Sequence, residues 1–214
     1  KYDTNVYEFS VVNDFNFSLP SRISTKGLKN NYEFLVRNIN VNSEKSENFN
    51  DEEYKLLSLF LFETTYPLIK KNDKNVKYLT PIFSVRYSPN PTKNKNNLDR
   101  RLSYDNIFTL DRIGEDDMVE GGQSISMGFE YSIKDLEEND YFNVGLAGNI
   151  RNKKELDLPN KTSLGEKRSD IVGKLNFIPS KYFDFEYEFS LDKNLNHSNY
   201  NHLKTNFTIN NFVT

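Results

Sequence analysis

The sequence has no cysteine and no tryptophan, and only two methionines and two histidines. Each absence removes a class of protein. Without cysteine there are neither disulfides nor thiolate metal ligands. No window approaches the ~20 consecutive apolar residues of a membrane-spanning helix. His197 and His202 would point to opposite faces of one strand, so they do not share a metal. His197-Ser198 adjacency does not make a catalytic pair, because base and nucleophile must converge in space. No phosphate-cradling glycine loop is present. An excess of positive charge is also missing: 28 Lys and Arg stand against 31 Asp and Glu, a net charge of −3. That is not the clustered basic surface of a nucleic-acid binder. The chain is therefore read as non-enzymatic, with no cofactor, no metal and no nucleic-acid partner.

What is present is aromatic and polar at once. Phe (17) and Tyr (13) bring aromatics to 14%, too many for a disordered chain. Yet hydrophobic residues reach only 36% and the mean hydropathy is −0.74. Asn and Lys recur throughout, as in Asn94-Lys95-Asn96-Asn97, and are attributed to an AT-rich coding genome. Triplets such as Asn160-Lys161-Thr162 then imply no glycan. The chain opens on Lys1 and stops at Asn211-Phe212-Val213-Thr214 within an alternating run, so it is expected to be a piece of a larger protein.

Period-two alternation dominates, the signature of strands with one apolar and one polar face. Phe183-Asp184-Phe185-Glu186-Tyr187-Glu188-Phe189 alternates without a break. Ile125, Met127, Phe129, Tyr131 and Ile133 share one face, as do Phe142, Val144, Leu146 and Ile150, and Leu79, Phe83, Val85 and Tyr87. Weaker runs cover about 6–12, 15–23, 32–41, 54–66, 170–178 and 201–212. The expectation is about ten long antiparallel strands in an up-and-down meander, an all-β chain with no helix.

From mid-chain onward the connections alternate long (89–121, 151–169) and short (134–140, 179–182), with 192–200 intermediate. In a meander every second connection lies at the same rim, so the long loops gather at one side. The very short gap at Asn13-Asp14 breaks this parity. Strands of ~9–12 residues, aromatics at run ends (Tyr87, Tyr131, Tyr141, Tyr182) and one-sided loops favour a transmembrane barrel. Two alternatives stay open: a small self-contained pore or adhesin barrel, and a soluble β-sandwich binding module. The loops read as almost wholly polar, so the apolar face is expected to meet lipid without a conventional dry core.

Between Asn75 and Tyr131 an ordered set of motifs appears. Tyr78-Leu79-Thr80-Pro81 is followed by Asn106-Ile107-Phe108-Thr109-Leu110-Asp111-Arg112, then Glu120-Gly121-Gly122 and Gly128-Phe129-Glu130-Tyr131. Later come Leu158-Pro159 and Lys167-Arg168-Ser169-Asp170-Ile171-Val172-Gly173. This resembles the C-terminal outer-membrane barrel of the LptD (lipopolysaccharide-assembly, organic-solvent-tolerance) family. The family's second Arg after Arg112 is replaced by Ile113-Gly114-Glu115-Asp116-Asp117-Met118, so its role is not carried over.

The resemblance implies that residues 1–214 are a partial barrel domain, which as a piece of a larger wall can form an open, curled sheet, in the outer membrane of a Gram-negative bacterium. It implies a translocon that inserts lipopolysaccharide into the outer leaflet. The implied partners are lipopolysaccharide, an LptE-like plug lipoprotein, LptA-like periplasmic jelly-roll bridge proteins and outer-membrane lipid. Leu110, Asp111, Arg112, Glu120, Gly121 and Gly122 become structural residues of the long loop, which would cover the extracellular mouth. Asp111 and Arg112 are expected to pin it to neighbouring loops; the alternative is two solvated charges. Gly121-Gly122 fits a tight re-entry into the next strand. Glu130, Asp184, Glu186 and Glu188 are expected to face the lumen. Glu115-Asp116-Asp117 lacks the ligand spacing of a calcium loop and is read as a solvated acidic turn.

Overall fold

The computed structural model describes residues 6–46, 49 and 52–208. Ten strands form in chain order: β1 Tyr7–Ile23, β2 Lys29–Glu44, β3 Glu52–Thr65, β4 Leu68–Lys71, β5 Val76–Ser88, β6 Gly122–Lys134, β7 Asp140–Arg151, β8 Ile171–Ser180, β9 Phe183–Leu191 and β10 Ser198–Phe207. All pair antiparallel in one sheet ordered β1-β2-β3-β5-β6-β7-β8-β9-β10, with β4 beside β5. The only helical piece among the described residues is a 3-10 turn at Ser163–Gly165. The meander is thus as expected. A two-sheet sandwich is not formed, and β1 and β10 do not pair with each other, so the sheet is open.

Two strand assignments are corrected. The runs at 6–12 and 15–23 are one strand of 17 residues. Asn13 and Asp14 sit mid-ladder opposite Asn38 and Arg37, because a pair of polar residues interrupts apolar alternation without interrupting backbone pairing. This removes the break in loop parity. The strand count still reaches ten because β4 was not anticipated. Pro67 ends the β3 line, and β4 resumes it along the first half of β5. Pro81, within β5, falls at this junction. Its carbonyl accepts the Tyr66 N–H at 3.1 Å, so its missing N–H faces the break rather than a ladder partner. The last run, 201–212, is a strand to Phe207; residues 209–214 lie outside the described part.

The β1–β2, β4–β5, β6–β7 and β8–β9 connections fall at one rim, and the β2–β3, β5–β6 (89–121), β7–β8 (152–170) and β9–β10 (192–197) connections at the other. Cross-strand partners share a face, so the register sorts the side chains. One face carries Phe15, Phe17, Phe34, Phe60, Phe62, Val85, Ile125, Phe129, Leu146, Leu175, Phe185 and Leu203. Many are open: Phe17 is 60% exposed and Met127 49%. Away from the strand ends this face holds no Asp, Glu, Lys or Arg; its polar members, such as Asn38, Ser58 and Gln123, are neutral.

The opposite face is polar and carries the loops. The expectation of wholly polar loops is overturned here. Leu102, Ile107, Ile113 and Met118 of 89–121 and Leu158 and Leu164 of 152–170 are buried in one cluster against Ala147 of β7 and Val172 of β8. A second cluster joins Leu110 and Val119 to Leu35, Leu57 and Leu59. The sparse loop apolar residues escaped pattern reading because irregular backbone gives them no period.

Candidate functional site

On the loop-bearing face, one register row runs Leu61–Arg86–Ser124–Arg151 across β3, β5, β6 and β7. Two arginines flank a serine, whose small side chain leaves room above it. The long loop delivers Arg112 into that room. Its Nη2 donates to Ser124 Oγ at 3.1 Å. Its Nε donates to Glu120 Oε2 at 3.0 Å, and Nη2 reaches the second Glu120 oxygen. Arg86 and Arg151 also ion-pair with Glu120. One carboxylate therefore meets three guanidiniums, and all four residues are at most 5% exposed. Two further donors reach loop carbonyls: Arg86 Nη1 to Leu110 O at 2.7 Å and Arg151 Nη2 to Gly121 O at 2.6 Å.

Burial, and then the charges of Arg86 and Arg151, push the Arg112 guanidinium well below its ordinary range. A guanidinium nonetheless keeps its proton in a protein. The cluster is thus a buried cationic knot, balanced by Glu120 and by carbonyl dipoles.

A second anchor lies on β2. Arg37 donates through Nε and Nη2 to the two Asp14 oxygens of β1 at 2.8 and 2.7 Å. Its Nη1 donates to Met118 O at 2.7 Å and to Glu115 O, with Asp111 Oδ2 at 3.5 Å. A third joins two loop segments: Lys93 Nζ lies 2.6 Å and Lys95 Nζ 3.0 Å from Asp117 Oδ2, with Glu115 3.4 Å from Lys95. Burial opposes ionisation of Asp117, but the hydrogen bonds from Lys93 and Lys95 prevail and hold its carboxyl below the usual range. The acidic turn is therefore not simply solvated: Glu115 and Asp117 are ion-paired, and only Asp116 is exposed.

The expected loop residues converge. Leu110 packs in the second cluster. Asp111 Oδ1 accepts the N–H groups of Ile113 and Gly114, closing a turn. The partners of Asp111 and Arg112 are not neighbouring loops, as expected, but strand residues and Glu120 of the same loop. Strands offer fixed rows of side chains, which a second loop does not. Gly122 has φ +85°, the left-handed region that favours glycine. Gly121 is required sterically, since a Cβ there would lie 2.3 Å from Asn90 O.

Glu130, Asp184, Glu186 and Glu188 all lie on this same face. Asn143 Nδ2 donates to Glu130 at 2.6 Å and Asn206 Nδ2 to Asp184 at 2.8 Å. Glu186 and Glu188 each lie 3.4 Å from Lys174 Nζ, which also meets Asp105 of the loop at 2.7 Å. The Tyr104 ring rests on Gly145, where a Cβ would fall 2.2 Å from it.

Sequence reasoning missed Arg37, Arg86, Arg151 and Asp14. The signal was a strand arginine on a row otherwise filled by serines, as in Ser84-Val85-Arg86-Tyr87-Ser88. His197 and His202 are exposed, and no group of three potential metal ligands forms among the described residues.

A family model described as LPS transport system D (LptD) matches residues 9–213. No curated protein matches the chain.

Proposed function

The chain belongs to the LPS transport system D family, which serves lipopolysaccharide transport and assembly in the outer membrane of Gram-negative bacteria, and on that premise we propose that this sheet is part of the wall of the translocon that inserts lipopolysaccharide into the outer leaflet. The observation that carries this reading is the segregation of the two faces. An apolar face that carries no charge away from the strand ends, along nine consecutive strands, suits hydrocarbon, where a charged side chain would cost up to ~2–4 kcal/mol at the midplane. The polar face suits a wet lumen, and there Glu130, Asp184, Glu186 and Glu188 are hydrated or paired.

In this reading the rim of long loops is extracellular. Loop 89–121 is pinned over the lumen face by Arg112–Glu120 and its two strand arginines, and loop 152–170 packs beside it through Leu158 and Leu164, sealing the mouth. The hydrophilic sugar crosses the lumen while acyl chains partition into lipid. The work comes from elsewhere, through LptA-like jelly-roll bridge proteins, and an LptE-like lipoprotein fills the lumen. Depletion of the full-length protein followed by labelling of surface lipopolysaccharide tests this. Surface lipopolysaccharide should fall; a normal level would overturn the transport reading.

A further inference from the structure

The face without charge is not smooth. Near the long-loop rim, Met127 and Phe129 of β6, Leu146, Gly148 and Ile150 of β7, and Ile171 of β8 line a groove of about 450 Å³. Gly148 forms its open floor, since a Cβ there meets nothing within 4 Å. The groove arises where the β7–β8 ladder loosens. Ala147 pairs with Val172, and the next pair is Ile150 with Arg168. Three steps on one side thus match four on the other, a one-residue bulge, and bulges re-aim side chains.

The bulge decides what stands at the groove's upper end. Arg168 is opposite Ile150 and so shares its outward face. Lys193, on the β9–β10 connection at the same rim, lines the same groove. Both are exposed, and neither has an ion-pair partner among the described residues. They are the groove's only charged lining residues. An apolar trough capped by two uncompensated cations complements an amphiphile with acyl chains below and an anionic group above. Arginine and lysine together suit phosphate.

We infer that this groove is a binding site on the outside of the wall for the phosphorylated, acylated end of lipopolysaccharide in the outer leaflet. The inference rests on reading this face as bilayer-facing with the long loops outward. It adds a site where newly delivered lipid is held against the wall, separate from the lumen.

The test places a photo-crosslinking amino acid at Met127 in the full-length protein in cells, with Phe60, on the same face but on β3, two strands from the groove's nearest strand β6, as the measure of ordinary surrounding lipid. Lipopolysaccharide adducts at Met127 should exceed those at Phe60 by roughly five-fold, the effect of a modest charge pairing. The exposed double variant R168Q/K193Q and, independently, G148F, which starts from a position where a Cβ meets nothing within 4 Å, should each bring Met127 down to the Phe60 level. Equal adducts at Met127 and Phe60, or adducts unchanged by R168Q/K193Q, would overturn the site. In vesicles containing lipopolysaccharide, an equal amount of phosphatidylglycerol should leave the adduct in place. Its disappearance would mean that any anionic lipid suffices and would overturn the lipopolysaccharide assignment. The depletion experiment reports on transport and this ratio on the groove, so the two readings fail separately.

Discussion

Glu120 is the position where a single atom exchange should matter most. Glu120→Gln keeps the shape of the side chain and removes its charge. Three buried guanidiniums, Arg86, Arg112 and Arg151, then face one another with no anion in direct contact. Breaking a buried ion pair by removing one partner costs about 3–5 kcal/mol. Here one carboxylate serves three cations, so the upper end applies. That corresponds to a shift on the order of 10³- to 10⁴-fold toward the state in which loop 89–121 has lifted off the sheet.

Arg112→Gln should cost less although it removes the residue at the centre. It leaves two cations against one carboxylate, and the repulsion that Arg86 and Arg151 exert on Arg112 disappears with it. The assay is hydrogen exchange of the amides of Ile107 and Gly121, together with protease nicking of the loop, in the full-length protein reconstituted in membrane. Ile107 is buried against Ala147 and Val172 of the sheet, and Gly121 N–H, held by Thr92 Oγ1, is buried beside the charge cluster, so water reaches both amides once the loop lifts. Loss of protection should be greater in Glu120→Gln than in Arg112→Gln. The reverse order, or unchanged protection in Glu120→Gln, would refute the idea that charge balance in this cluster seats the loop.

Other perturbations probe the remaining anchors. Ile107→Ala removes a buried side chain from the loop-to-sheet cluster and should cost about 2–5 kcal/mol; a loss under 1 kcal/mol in urea titration would show that this cluster adapts freely. Gly145→Val puts side-chain atoms where the Tyr104 ring lies, so Tyr104 should be displaced and the nearby Asp105–Lys174 pair broken, visible as faster exchange around residues 103–107. Asp117 is held below its ordinary range when folded, so its contribution is complete above its unfolded value near 3.9 and is lost as pH falls from there through the folded value. Protection of the 93–95 and 115–117 segments should therefore survive at pH 5 and fade only below about pH 4; fading near neutrality would exclude this carboxylate as the cause.

The legible part of this protein was the part with a period. Alternation in Phe183–Leu191 and Gln123–Ile133 required one apolar and one polar face, and the register gives them those faces. Short links such as 135–139 and 181–182 join adjacent antiparallel strands, whereas β5–β6 and β7–β8 are neighbours across the long loops 89–121 and 152–170, which length alone does not dictate. The failures share one cause. Asn13-Asp14 looks like a gap because two polar residues in succession break the side-chain pattern, while the backbone ladder, which sequence pattern does not report, continues. Asp14 is polar because its partner across the ladder is Arg37, a residue assigned to no role by its own neighbours.

The site was half legible for a related reason. Arg112, Glu120, Gly121 and Gly122 stood out because they lie close together in a recurring motif. Arg86 and Arg151 lie 65 positions apart in sequence and meet only because β5, β6 and β7 are adjacent and Ser124 sits between them in register. A buried charge cluster is a property of rows across a sheet, not of runs along a chain. The same holds for the low hydrophobic content. An apolar residue on a strand of this sheet is placed on the outward face, and the buried clusters draw mainly on the loops and a few inward strand positions such as Leu35, Leu59, Ala147 and Val172. Two modest sets of apolar residues therefore do separate work, one facing outward and one seating the loops. Charge completes the second set where a run of serines on the polar face offers no apolar surface: the loop is held there by one carboxylate among three arginines, an arrangement whose strength depends on the exclusion of water that the small hydrophobic cluster beside it provides.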